Sequence, residues 1–277
     1  MMLQMLENSE FADQCIFKGG TSLSKCYPGS ISRFSEDIDL TFLSYGKISQ
    51  KQYGRILKKI EQIMSAGARI EKIPDERNDR NKSSYVWFED DRSCQIKLEI
   101  GSSIRPDPYM PITLKSYIQE YLENKNMSEI ACRYGLQAVT VNTLCIERTF
   151  LDKVMAVKRH AICGTLPQKV RHIYDVATLY RRKDIQSFLR DRDRLKELIH
   201  KTKETDRFYL EKRNGSKEYD PVGPYDFSSW EVCFNDSIRR RYESLHEDLL
   251  YTDQRQDFDL AIAAFRELSR LFAEIGE

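Results

Sequence analysis

Hydrophobic positions change period repeatedly along the chain, and each change predicts an element. Met2, Leu3, Met5, Leu6 and Phe11 form a rough apolar stripe that predicts a helix over residues 1–15. Cys15-Ile16-Phe17-Lys18 reads as a short strand running into a Gly19-Gly20 turn. Thr21 or Ser22 is placed to cap a following helix through Leu23 and Lys25, which Pro28-Gly29 stops. Residues 37–43, DIDLTFL, open with the alternation of a strand. From 48 to 66, Ile48, Tyr53, Ile56, Leu57, Ile60 and Ile63 recur at helical spacing, ending at Gly67.

The next stretch reads as β-rich, through ARIEKI, SSYVWFE and SCQIKLEIGS, with a polar connector over 75–81 between the first two. At RPDPYMP, residues 105–111, three prolines in seven positions break the pattern. This predicts a boundary between an α/β domain, 1–105, and a mostly helical domain, 106–277. Beyond it one strand-like run, LQAVTVNTL, precedes helical patterns at 147–162, 168–181, 184–203, 228–250 and 256–275. The last, within DFDLAIAAFRELSRLFAEI, repeats apolar positions at i, i+3, i+4 and i+7 and predicts a closing helix.

Composition narrows the classes. The 277 residues hold 44 Lys+Arg against 43 Asp+Glu, so net charge argues neither for nor against a nucleic-acid partner. Seven scattered cysteines without a C-x-x-C pair fit a reducing compartment, and four histidines form no ligand pair at helical spacing. No apolar run approaches the ~20 residues that span a membrane. The amino terminus carries acids where a signal peptide has a basic start. A soluble, cytoplasmic protein is expected.

The candidate chemistry sits early in the chain. Consecutive glycines let backbone approach a phosphate, and amides at the next helix N-terminus face the anion, with Thr21 and Ser22 adding hydroxyls. Taken alone, the Gly-Gly pair reads more simply as a turn. Asp37 and Asp39 are two apart, so a strand points both to one face and Ile38 and Leu40 to the other. An oxygen-loving cation removes the repulsion between such carboxylates. Two Mg²⁺ ions about 4 Å apart can clamp the attacking and leaving oxygens of a displacement. Glu99, in QIKLEI, joins the same polar face if its strand is adjacent and in register. Each acid also fits a solvated strand face.

KGGTSLSK followed by RFSEDIDL resembles the paired signature of the nucleotidyltransferase superfamily in its AbiEii/AbiGii toxin branch, and is similar to the MenT toxins of the same broad group. ERTFLDKVMAVKRH, 147–160, resembles that family's lysine motif and points to Lys153. RHIYDVATL, 171–179, resembles its arginine-to-aspartate motif and points to Asp175. From the residues alone, Lys153 lies at the margin of a buried arc, where its head either reaches the phosphates of a bound nucleotide or stays in water. Asp175 lies off its own arc, four residues from Arg171 and within reach of a local salt bridge.

The resemblance covers nearly the whole chain. It implies an α+β fold, a nucleotidyltransferase-like mixed sheet with flanking helices, followed by a mostly helical domain that completes the site and the acceptor surface. It implies a nucleoside triphosphate cradled by Gly19, Gly20, Thr21 and Ser22, with Lys25 and Ser35 in further contact, and Mg²⁺ held by Asp37, Asp39 and Glu99. Lys153 would neutralise phosphate charge. Asp175 would orient Lys153 or the acceptor hydroxyl, or act as general base, and these roles stay open.

The resemblance further implies a toxin of a toxin–antitoxin or abortive-infection (phage-defence) system. Such a toxin transfers NMP to an acceptor hydroxyl at the 3′ end of tRNA and blocks translation. No segment is spare for a DNA-binding antitoxin domain, so a separate antitoxin protein is expected. Residues 147–172 carry six Lys/Arg against two Asp/Glu, and 190–217 carry ten against six, with Phe208 and Tyr209 among them. These stretches fit an RNA track or solvated helix faces equally. The other readings are transfer to a protein hydroxyl, transfer to a small molecule such as an antibiotic, and a catalytically silent nucleotide-binding regulator.

Overall fold

The structure is a computed structural model that describes residues 1–102, 105–211, 219–255 and 257–277, excepting the side chains of 208–211. Phe208 and Tyr209 therefore lie outside the described side chains. The chain divides into two compact units, Met1–Pro28 with Ser35–Cys145, and Gly29–Phe34 with Ile146–Glu277.

The first unit opens with α1 (Met2–Glu7) and a 3₁₀ turn at Ala12–Gln14, not one helix over 1–15. Ser9 Oγ donates to Leu6 O (2.7 Å) and Asn8 Nδ2 to Gln4 O (2.8 Å), so these side chains end the helix early. Then come β1 (Cys15–Lys18), α2 (Gly19–Cys26), β2 (Asp37–Phe42), α3 (Gln50–Met64), β3 (Arg69–Lys72), β4 (Asn81–Trp87) and β5 (Ile96–Gly101). β6 (Tyr109–Leu114), α4 (Tyr117–Asn124), α5 (Ser128–Arg133) and β7 (Val139–Leu144) complete the unit. All seven strands form one mixed sheet in the order β3-β4-β5-β2-β1-β7-β6. β1 runs antiparallel to β2 and parallel to β7, and β2 runs parallel to β5.

The proline-rich break does not divide the units. β6 begins at Tyr109, inside that break, and pairs antiparallel with β7 from Tyr109–Leu144 to Leu114–Val139. β7 in turn pairs with β1, so residues 106–145 belong with the sheet and the division falls at Cys145/Ile146. β6 is the outermost strand, where the missing N–H of Pro111 costs no interior ladder bond.

One face of the sheet is apolar. Phe17, Ile38, Leu40, Leu98 and Ile100 are buried in a cluster with Leu6 of α1 and Leu57, Ile60 and Met64 of α3. Ser49 and Gln52 form a reciprocal capping box that starts α3 about two turns before this apolar stripe. Within α3, Glu61 is 3% exposed and accepts two hydrogen bonds from Arg77 (2.6 and 2.7 Å) and one from Ser84 Oγ (2.5 Å). Burial alone would raise its pKa; Arg77 and Ser84 outweigh burial and hold it low. Arg77 also donates to Ser83 O (2.9 Å), so this ion pair fastens the 75–81 connector to helix and sheet.

The second unit contains α6 (Ile146–Ile162), α7 (Arg171–Tyr180), α8 (Lys183–Arg190), α9 (Arg192–Glu211), α10 (Asp236–Asp248) and α11 (Phe258–Glu274). The helix expected over 184–203 is two helices, because Asp191 leaves helical geometry and its carboxylate accepts from Arg194 N (3.2 Å). The helix expected from 228 starts at Asp236, where Asn235 caps the amides of Ser237 and Ile238. Ahead of it lie two 3₁₀ turns, Phe227–Ser229 and Glu231–Cys233. Their Phe227 and Trp230, with Phe234 and Phe265, build an aromatic core with ring centroids 4.6–6.3 Å apart.

Gly29–Phe34 joins this unit through backbone. Phe34 N donates to Leu249 O and Tyr251 N to Ser32 O, both at 3.1 Å, flanking an antiparallel bridge between Arg33 and Leu250. Among the described residues no helix is long and apolar enough to cross a membrane, and all seven cysteines are free thiols.

Glu61→Ala is expected to lower unfolding free energy by ~3–5 kcal/mol, since it leaves Arg77 without its buried partner. Urea denaturation against wild type measures this, and an unchanged midpoint contradicts the anchoring role of the pair.

Candidate active site

The apolar face of β2 leaves its other face to the acids. Asp37 and Asp39 alternate with buried Ile38 and Leu40. Asp39 lies opposite Lys18 of β1 and opposite Glu99 of β5, while Asp37 lies opposite Lys97. Glu99 thus stands beside Asp39, and Lys18, Asp37, Asp39, Lys97 and Glu99 share one face. Burial raises the pKa of Glu99, Asp39 adds to the rise, and Lys18 and Lys97 oppose it. Lys97 Nζ lies 2.7 Å from Glu76 and 3.8 Å from Glu99.

The donor chemistry of this face, carboxylate oxygens only, fits a hard divalent cation. Among the described residues, however, no three His, Cys, Asp or Glu side chains are gathered in a ready-made metal geometry. Neighbours account for part of this: Asp39 rests against Gly19, and Lys97 holds Glu99 and Glu76. The sequence assigns Lys18 and Lys97 no place in the site, because only the strand register brings them beside Asp39, Asp37 and Glu99.

Gly19 and Gly20 do not form a free turn; they are the first residues of α2. Gly19 has φ +90°, and a Cβ there would overlap Asp39 Oδ2. Glycine is required at this position both for its backbone conformation and for the close approach of Asp39. No side chain caps α2, so neither Thr21 nor Ser22 has the capping role expected. Thr21 Oγ1 contacts Ser35 Oγ (3.0 Å) and donates to Asp37 O (2.5 Å), tying the helix to the start of β2. Ser22 is buried and donates to Gly19 O (2.9 Å). Lys25, near the other end of α2, pairs with Glu120 (3.0 Å) and lies 3.5 Å from the Tyr117 ring centre.

In the helical unit, Asp175 is fully buried on α7 and gathers cations. Arg33 grips it bidentately, Nε to Oδ1 at 2.6 Å and Nη2 to Oδ2 at 2.8 Å. Lys153 of α6 lies 2.7 Å from Oδ2. Burial would raise the Asp175 pKa, but Lys153 and Arg33 outweigh it and hold the carboxyl well below its usual range. Burial pushes the Lys153 pKa down against the pull of Asp175. Lys153 is therefore a buried lysine facing an aspartate, inside the margin of the arc where the helical wheel placed it. Asp175 likewise sits inside, where the wheel placed it off the arc. A carboxylate bound at both oxygens is a poor proton acceptor and a firm anchor for the Lys153 ammonium. His172 Nδ1 stands 3.9 Å from the same carboxylate, and burial pushes its pKa to about 3, so it is neutral near pH 7.

Arg33 was missed although RFSEDIDL contains it. The signal available was an arginine beside a hydrophobic residue, close to the D-x-D pair. The basic stretches also look different in three dimensions. Arg148 is buried against Asp152 (2.9 Å) and Thr205, Lys158 donates to Pro224 O (2.9 Å), and Arg159 pairs with Asp206. Arg192, Arg194, Lys201 and Lys203 pair with Glu274, Glu147, Glu197 and Glu277. Much of that positive charge binds the helices to each other.

Arg33→Ala should lower stability by ~3–5 kcal/mol by stripping a buried carboxylate of its bidentate partner, and Arg33→Lys should restore only part of it. Urea midpoints for both variants check this. His172 gives a pH signature: its folded pKa of about 3 lies below the ordinary 6.5, so the unfolded chain takes up a proton that the folded chain refuses. That contribution is complete above pH 6.5 and is lost as pH falls toward 3. Denaturation between pH 7 and 4 should show a decline, and His172→Gln should flatten it by up to ~1.4 kcal/mol per pH unit.

The nucleotidyl transferase AbiEii toxin family, of type IV toxin–antitoxin systems, matches residues 2–275. Among solved structures, the chain is similar to MenT4, a nucleotidyltransferase toxin from Mycobacterium tuberculosis H37Rv. The two share 19% identity over 99% of this chain and 89% of that one, with a TM-score of 0.53. At that identity the likeness is one of fold, and the mixed sheet with its helices agrees with it. No curated protein matches the sequence. With the family match spanning nearly its whole length, the chain belongs to the AbiEii family of nucleotidyltransferase toxins of type IV toxin–antitoxin systems.

Proposed function

We propose that this nucleotidyltransferase moves an NMP unit from a nucleoside triphosphate to the 3′ end of tRNA, so that translation stops. The observation that carries the chemistry is the acidic row of the sheet, Asp39 flanked by Glu99 and Lys18 and packed against Gly19. A polyphosphate beside such a row needs close backbone approach and charge compensation. The uncapped start of α2 at Gly19 and Gly20 offers amides to phosphate oxygens. Thr21 and Ser35 act by fixing α2 against the first residue of β2, and Ser22 by bonding Gly19 O. Lys25, on the same helix, would reach the phosphates only by leaving Glu120 and the Tyr117 ring.

Asp37 and Asp39, with Glu99 beside them, would hold Mg²⁺, which when bound supplies positive charge to the phosphates. Lys153, held by Asp175 and Arg33, adds protein charge that favours the transferring phosphoryl group. The acceptor hydroxyl gives up its proton to solvent as its oxygen forms the new bond to the α-phosphorus, the bond to the pyrophosphate oxygen breaks, and pyrophosphate leaves with that electron pair. An antitoxin encoded as a separate protein restrains the activity in this reading.

Purified protein incubated with Mg²⁺, total tRNA and each labelled triphosphate in turn should label RNA with at least one triphosphate. Asp39→Ala should reduce the rate by ~10³-fold or more while retaining the wild-type fold by circular dichroism. Label in protein, or in a small-molecule acceptor in place of RNA, would replace the tRNA assignment. Full activity in Asp37→Ala and Asp39→Ala would remove the metal assignment.

A further inference from the structure

Lys97 stands where acids from two parts of the first unit converge. On the sheet, the strand register puts Asp37 of β2 opposite it, and Glu99 follows two residues on along the same face. On the other flank, β4 places Tyr85 opposite Lys97 and Ser83 opposite Glu99. The Lys97 ammonium lies 3.8 Å from Glu99 but only 2.7 Å from Glu76. Glu76 is not a strand residue; it closes a 3₁₀ turn, Pro74–Glu76, in the connector before β4. Its backbone is fixed there, since Glu76 N donates to Ile73 O (3.1 Å) and Asn81 Nδ2 donates to Glu76 O (2.8 Å). The next residue, Arg77, is gripped by buried Glu61. Glu76 is thus a carboxylate held at the margin of the acidic face.

An ammonium and a divalent ion at one carboxylate repel each other, so Lys97 and a metal cannot both draw fully on Glu99. A second acid within reach gives the ammonium somewhere else to go. We propose that Lys97 competes with the divalent cation for Glu99, and that Glu76 is the acid to which its ammonium withdraws when Glu99 turns to the metal. Lys97 is then a positioning residue. It opposes loading of metal onto the protein alone and favours loading together with a triphosphate, which brings its own negative charge. The proposal rests on the assignment of metal to Asp37, Asp39 and Glu99, and all of its residues lie in the first unit. Lys18, opposite Asp39, stays in every variant below, so the comparison isolates Lys97.

Mn²⁺ is the probe, because it suits the same oxygen ligands as Mg²⁺ and its free form is counted by paramagnetic resonance. Titrating the full chain without nucleotide gives a dissociation constant for each variant. Lys97→Met should tighten Mn²⁺ by about tenfold or more, the scale on which a charge within ~4–6 Å acts on a carboxylate. Lys97→Arg keeps the charge and should stay near wild type. Glu76→Gln should weaken Mn²⁺ severalfold, since the ammonium then has only the sheet acids. Added to Lys97→Met, the same change should shift the constant by less than about twofold. A gain in affinity is not what a loosened fold produces, and Lys97→Gln repeats the test if the methionine variant does not fold.

Equal or weaker Mn²⁺ binding in the Lys97→Met and Lys97→Gln variants overturns the competition. An equal loss from Glu76→Gln with and without Lys97 makes Glu76 a general source of negative charge and overturns its part. Asp39→Ala separates this proposal from the reading beneath it. If it abolishes binding while the Lys97 variants match wild type, the competition falls and the metal assignment stands. Binding that Asp39→Ala leaves unchanged in every background, or no binding in any, removes the metal assignment and the competition with it. A wild type that labels no RNA removes the transfer reading, and the Mn²⁺ comparison still decides Lys97.

Discussion

A carboxylate taken out of water must be met by cations, and Asp175 is met by two. Burying the ion costs several kcal/mol, and that cost is offset only when both oxygens are bonded in good geometry. The bidentate fork of Arg33 and the ammonium of Lys153 meet that demand together. Three pieces of chain remote in sequence are thereby fixed: the strap at 29–34, α6 and α7. Lys153 owes its orientation to this arrangement, and a lysine pointed by a buried partner suits electrostatic work better than one waving in solvent. Removing Asp175 would leave both cations without this buried counter-charge.

The sheet handles charge by register instead of by burial. Its apolar face is filled by Phe17, Ile38, Leu40, Leu98 and Ile100, which forces Lys18, Asp37, Asp39, Lys97 and Glu99 onto the opposite face. A one-residue slip of β5 against β2 would exchange these two sets and destroy both core and acidic row. The tight approach of Asp39 to Gly19 adds a second lock, since any larger residue would collide with the carboxylate. In this fold the requirements of packing and of chemistry fall on the same few strands.

Strong periodic patterns carried through. β1, β2 and α3, the strands around residues 69–101, and the closing helix lie where their patterns put them, because each has a nearly continuous apolar stripe or alternation. The misreadings share another cause. Prolines at 105–111 looked like a boundary, yet an edge strand tolerates Pro111. Asp191 and Asn235 looked like ordinary polar positions in helices, yet their side chains bond backbone amides and restart the helix. Basic stretches looked like a track, yet several of their cations are neutralised by acids elsewhere in the chain.

Local order in the sequence was enough to specify the Gly-Gly pair, the same-face Asp37 and Asp39, the candidates Lys153 and Asp175, and the family they resemble. These depend on spacing along one strand or helix, and spacing is readable in one dimension. Arg33 on Asp175, Lys18 and Lys97 beside the acids, and the pairing of 32–34 with 249–251 came only from tertiary structure. Arg33 and Asp175 lie 142 positions apart, and Tyr251 lies 220 from Ile31. No periodicity spans such intervals; only the free energy of pairing buried charges and closing backbone ladders brings those residues together.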